Sequence, residues 1–127
     1  MTTTPALPLP LPPAMPTEAE FQAAIVQAAR RRGWVVNHTY RAKLADGTWR
    51  TTTTVRGWPD LTLIHPDQGR IVFLEVKKHR GDRDPDQLRT IALLQRVGGN
   101  VEAYFVEPTD WADVLDLLDP PTPRKDT

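Results

Sequence analysis

The stretch GWPDLTLIHPDQGRIVFLEVKKH, residues 57–79, is apolar over most of its length yet holds Asp60, Glu75 and Lys77. WPDLTLIH and RIVFLEVKKH are rich in β-branched and aromatic residues and flank the turn-forming PDQG, so the pattern predicts two strands joined as a hairpin. Counting outward from a hairpin centre between Asp67 and Gln68 sets Asp60 directly opposite Glu75, with Cα atoms about 5 Å apart. Residues two apart on a strand share a face, so Glu75 and Lys77 point the same way. Two acids and an amine then meet on one patch of one sheet face.

Apposed carboxylates repel, and burial penalises both charges. A hard divalent cation such as Mg²⁺ resolves that conflict, because it takes oxygen ligands and keeps several waters. Asp60 and Glu75 are the expected metal ligands, with the carbonyl of Val76 as a further candidate. An ammonium beside them adds positive charge where a phosphoryl group gathers negative charge, and it can orient an attacking water. The trio suits metal-assisted hydrolysis of a phosphodiester. The competing explanation is a structural ion-pair network at a sheet edge.

The flanking sequence builds an α/β frame around this hairpin. TEAEFQAAIVQAARRRGW predicts a first helix with Thr17 as N-cap and Glu20 closing a capping box. Its Phe21, Ala24, Ile25, Ala28 and Ala29 recur at helical spacing, and Gly33 follows three arginines at its end. WVVNHTY (34–40) reads as a strand, and Asp46-Gly47 marks a turn within residues 41–56, as a two-stranded flap or a loop. DPDQLRTIALLQRVGG predicts a second helix with Asp84 as N-cap and Pro85 at its first position. VEAYFV reads as a fourth strand, and TDWADVLDLLD as a last helix capped by Thr109. The order α-β-β-β-α-β-α implies a mixed sheet with helices on its faces.

Composition narrows the class. The 127 residues suit one domain and include no cysteine, which excludes disulfides and thiolate metal sites. No apolar run is long enough for a bilayer span, and the N-terminus is a poor secretory signal, so the cytoplasm is the expected location. Residues 1–16 contain six prolines and read as a flexible arm, 17–119 as the folded unit and 120–127 as a tail. Net charge is zero, but residues 1–100 hold 14 Lys+Arg against 9 Asp+Glu, and residues 101–127 hold 2 against 7. A basic middle beside an acidic end is compatible with a polyanionic partner.

With these pieces in place, GWPD (57–60) followed by EVK (75–77) resembles the PD-(D/E)xK nuclease signature. TEAEFQAAIVQAA…RGW, GWPDLTLI, IVFLEVK, Gln87 opening the next helix and LLQRVGGNVEAYFV together are similar to the VRR-NUC family, the virus-type replication-repair nucleases related to Holliday junction resolvases. The resemblance runs from about Thr17 to Leu118. It implies a restriction-endonuclease-like α-β-β-β-α-β core, dependence on Mg²⁺ or Mn²⁺, and cleavage of DNA, often selective for its structure. Carried over, Asp60 and Glu75 are metal ligands and Lys77 is the water-positioning base or charge stabiliser. Gln87 supports the site, and Glu18 is the first-helix glutamate of the pattern. Gln87 has a second reading as a capping residue, and Glu18 as a helix-dipole carboxylate. His38 reads as structural.

Basic residues flank the proposed site on both sides. Arg41, Lys43 and Arg56 precede it, and Lys78, His79, Arg80 and Arg83 follow it; all are candidate phosphate contacts. Trp49 suits either stacking on an unpaired base or anchoring the flap. DNA is the expected partner, a membrane is not, and a homodimer would let two sites address two strands. A compact nuclease of this kind would suit a phage. Two alternatives stay open: a restriction-like enzyme reading a specific sequence, and a DNA-binding or assembly protein that keeps the fold without turnover.

Overall fold

In a computed structural model the described residues are 16–51, 53–79 and 83–120, with side chains 41–43 and 49–51 excepted. Residues 1–15 of the expected arm, the tail after 120 and Arg80 lie outside them. Helix α1 (Glu18–Arg31) begins at Thr17, whose hydroxyl accepts from the Glu20 N–H while the Glu20 carboxylate accepts from the Thr17 N–H. Two of the orphan donors of the first turn are thereby satisfied reciprocally. The helix stops at Gly33, whose φ of 89° is left-handed backbone that a side chain resists. The chain then enters β1 (Val35–His38), the flap strands β2 (Arg41–Lys43) and β3 (Trp49–Thr51), β4 (Leu61–His65) and β5 (Arg70–Val76). Helix α2 (Pro85–Val97), β6 (Val101–Val106) and α3 (Trp111–Leu118) complete it. Residues 41–51 therefore form the paired flap, turning at Asp46 and Gly47.

The main sheet runs β1-β4-β5-β6, antiparallel except for the β5–β6 pair. A parallel pair needs a crossover, which α2 supplies. Alternation along β4 and β5 sends Leu61, Leu63, Val72, Leu74 and Val76 to one face, where they meet Phe21, Ile25, Ala28 and Ala29 of α1 and Val114 and Leu118 of α3. Each large aliphatic side chain removed from water there contributes about 1.5–3 kcal/mol. Trp111 packs edge-on against Phe21, and Trp34 donates its indole N–H to the Leu118 carbonyl, 2.9 Å. Arg70 ties the far end of the sheet: it makes two bonds to Glu102 (2.7 and 2.9 Å) and one to the Leu117 carbonyl (2.8 Å).

One local expectation fails. Thr109 does not cap the last helix. Pro108–Asp110 form a 3₁₀ turn that leads directly into α3, and the Asp110 carboxylate accepts from the Glu107 N–H, 2.9 Å. Pro108 lacks an N–H and has its φ already fixed, so it opens the helical turn earlier than Thr109 would.

Candidate active site

The β4–β5 register pairs Leu61 with Leu74, Thr62 with Phe73 and Leu63 with Val72. One step further along the same ladder, Asp60 meets Glu75, as counting from the turn predicts. Asp60 is held from two sides: its carbonyl accepts from the Thr39 N–H at 2.8 Å, and its Oδ2 accepts from the Val76 N–H at 2.9 Å. The preceding Gly57 has φ +77°, and a Cβ there would lie 2.4 Å from the backbone carbon of Asp86. Glycine is thus required where the loop before Asp60 touches the first turn of α2. The Thr90 hydroxyl donates to the Arg56 carbonyl (2.8 Å) and fixes the same contact.

Glu75 is buried, with 3% of its surface exposed. Its Oε2 accepts from Gln87 Nε2 at 3.0 Å and lies 3.5 Å from Lys77 Nζ. Its Oε1 is buried and accepts no hydrogen bond, and the carboxyl lies within side-chain hydrogen-bonding reach of Asp60 when one of the two is protonated. Burial first, and the neighbouring Asp60 charge second, push the Glu75 carboxyl up to about 8, against the pull of Lys77. Gln87 does two things at once: its Oε1 closes the capping box with the Asp84 N–H at 3.5 Å while its Nε2 orients Glu75. The two readings of this residue are therefore compatible.

A buried carboxylate oxygen that accepts no hydrogen bond, beside a second carboxylate, is a donor set suited to a cation, and hard oxygens suit Mg²⁺ or Mn²⁺. The residues present fit such an ion. Among the described residues, no group of three or more His, Cys, Asp or Glu is arranged to hold a metal. The acidic groups that could hold such an ion are the Asp60–Glu75 pair, with the Val76 carbonyl next in the chain.

A cavity of about 420 Å³ opens over this pair, and Glu18, Lys77 and Gln87 line it as well. Glu18 is exposed on α1, and its Oε2 accepts from the Lys78 N–H at 3.2 Å, which fixes the chain just after Lys77. Gln22, His38, Thr39 and Tyr40 also line the cavity. Gln22 Nε2 contacts His38 Nε2, and the His38 ring lies 4.2 Å from the Tyr40 ring. Sequence reasoning missed Gln22, Thr39 and Tyr40, and it placed His38 as structural. The one available signal was the shared strand face of His38 and Tyr40.

The expected phosphate contacts scatter. Arg56, Lys78 and His79 are exposed. The Arg83 guanidinium lies 4.3 Å above the Phe105 ring and borders a separate cavity between β6 and α3. The side chains of Arg41, Lys43 and Trp49 lie outside those described.

No family model matches the chain, and no curated protein sequence matches it. A solved structure described as a "VRR_NUC domain" is similar, with 29% sequence identity, a TM-score of 0.54, and coverage of 78% of this chain and 94% of that one. That likeness, with the mixed sheet and flanking helices, supports a nuclease domain of the PD-(D/E)xK type. Within that class, the likeness to that structure supports assignment to the VRR-NUC family. No described helix is long and apolar enough to cross a membrane.

Proposed function

We propose that this chain is a Mg²⁺- or Mn²⁺-dependent DNA endonuclease that hydrolyses phosphodiester bonds in structured DNA such as flaps, junctions or nicks. One observation carries the reading: the buried Glu75 carboxylate is apposed to the Asp60 carboxylate, with its Oε1 accepting no hydrogen bond and the Lys77 amine beside it. Asp60, Glu75 and the Val76 carbonyl would hold the ion. When bound, it would supply Lewis-acid charge to the phosphodiester. Lys77, 3.5 Å from Glu75 Oε2, orients the attacking water and stabilises charge on the phosphoryl oxygens. Gln87 fixes the Glu75 rotamer, and Glu18 fixes the backbone that follows Lys77. The preference for structured DNA follows the family likeness, and Arg56, Lys78 and His79 are the exposed candidates for phosphate contact.

The test is cleavage of labelled single strands, flaps, junctions, nicked duplex and supercoiled plasmid with Mg²⁺ and Mn²⁺ over a range of salt. Wild type should cut at least one structured substrate. Asp60→Ala and Lys77→Ala should cut none while melting as folded proteins. Undiminished cleavage by either variant refutes the assigned roles.

A further inference from the structure

The catalytic cavity does not end at Tyr40. A second groove, of about 640 Å³, shares Gln22, His38 and Tyr40 with it and runs between α1 and β1 toward Arg30 and Arg31. Its floor includes Ala23, Val26 and Val36. Three features fit one occupant. Tyr40 is 71% exposed at the junction of the two cavities, an unusual position for a large ring, and the Gln22–His38 contact holds its neighbour in place. Arg30 and Arg31 are exposed and make no ion pair among the described residues, whereas the adjacent Arg32 pairs with Asp119 at 3.0 Å. The volume is that of a small-molecule site, enough to seat about two nucleotides of a single strand.

Resting on the nuclease reading, we infer that this groove receives an unpaired stretch of the DNA strand adjoining the site of cleavage. A base stacks on the exposed Tyr40 ring, which any base can do because each has a π-face. The small apolar side chains of the floor take the sugar and base faces. Arg30 lies two helical turns beyond Gln22, about 12 Å along α1, which spans about two to three phosphates. Arg30 and Arg31 then bind those phosphates, in addition to favouring the C-terminal end of the helix dipole. The enzyme would accordingly prefer a duplex with a single-stranded overhang or flap over a blunt duplex.

The experiment is fluorescence anisotropy in EDTA, so that no cleavage intervenes, with the full chain. The probes are a blunt duplex and the same duplex carrying an oligothymidylate overhang. Wild type should bind the overhang probe more tightly. Tyr40→Ala and the double variant Arg30→Ala/Arg31→Ala should each lose about tenfold on the overhang probe and nothing on the blunt one. Tyr40→Phe should bind as wild type. The double variant should also lower the salt slope on the overhang probe by about 1.4, for two phosphate contacts on a single strand. The charge-matched control Arg89→Ala/Arg96→Ala, on the other helix, should leave the overhang preference intact. Unchanged overhang binding in the groove variants, equal loss on both probes, or no overhang preference in wild type overturns the inference. Cleavage assayed in parallel separates the two claims: groove-dependent binding by a chain that cuts nothing sinks the nuclease reading alone. Cleavage with binding indifferent to the groove sinks the groove alone.

Discussion

Replacing Asp60 by Asn should make the metal-free protein more stable and destroy its response to metal. Glu75 has an ordinary value of 4.5 and is pushed up to about 8 in the fold, by burial and then by Asp60. A folded pKa raised above the unfolded one means that the native state binds a proton the unfolded chain has released. Wild type in EDTA should therefore lose stability as pH rises from about 4.5 to about 8, and then level off. One pKa unit corresponds to about 1.4 kcal/mol, so the total loss is a few kcal/mol. Asn removes the like charge while its amide oxygen can still accept from the Val76 N–H. It should recover about 1 kcal/mol above pH 8, or roughly 4 °C in Tm for a domain of this size. With Mn²⁺ at a hundred times its Kd, wild type should gain about 2.7 kcal/mol, and Asp60→Asn should gain nothing. The assay is thermal melting from pH 5 to 9, with EDTA and with Mn²⁺. A lower Tm for Asp60→Asn in EDTA above pH 8, or equal protection of both proteins by Mn²⁺, refutes the reasoning.

Other perturbations separate frame from site. Gly57→Ala should cost about 1–3 kcal/mol by urea unfolding and weaken metal uptake, because the new Cβ meets the Asp86 backbone at 2.4 Å and displaces the Asp60 loop. Gln87→Leu removes the amide that orients Glu75 and should reduce Mn²⁺ affinity about 10–100-fold in a calorimetric titration. Arg70→Ala should destabilise by about 1–2 kcal/mol, because it removes the donors to Glu102, which keeps only the Tyr104 hydroxyl, and to the Leu117 carbonyl, yet leave Mn²⁺ affinity unchanged at the opposite end of the sheet.

Much of this frame was legible because it is set by local rules. The Thr17–Glu20 and Asp84–Gln87 boxes each close within one helical turn, so a four-residue window contains them. The Asp60–Glu75 juxtaposition was legible because the hairpin has no bulge between its turn and the site, so counting survives. Contacts made across the fold were not legible. Gly57 is needed only because α2 docks against its backbone, and nothing in GWPD announces that neighbour. Tyr40 gains its place from α1, through Gln22 and His38, a meeting of residues 16 positions apart at the closest. Sequence reasoning considered base stacking only for Trp49, and left it open against anchoring the flap. Thr109 misled because its cap chemistry was sound, while Pro108 had already begun the turn.

The central claim is that the Asp60 and Glu75 carboxylates grip one divalent ion. Anomalous diffraction at the manganese edge, from crystals grown with Mn²⁺, tests it most directly. A peak contacting both carboxylates, and missing from Asp60→Ala crystals, is the expected result. Manganese bound elsewhere, or still bound without Asp60, would contradict the account.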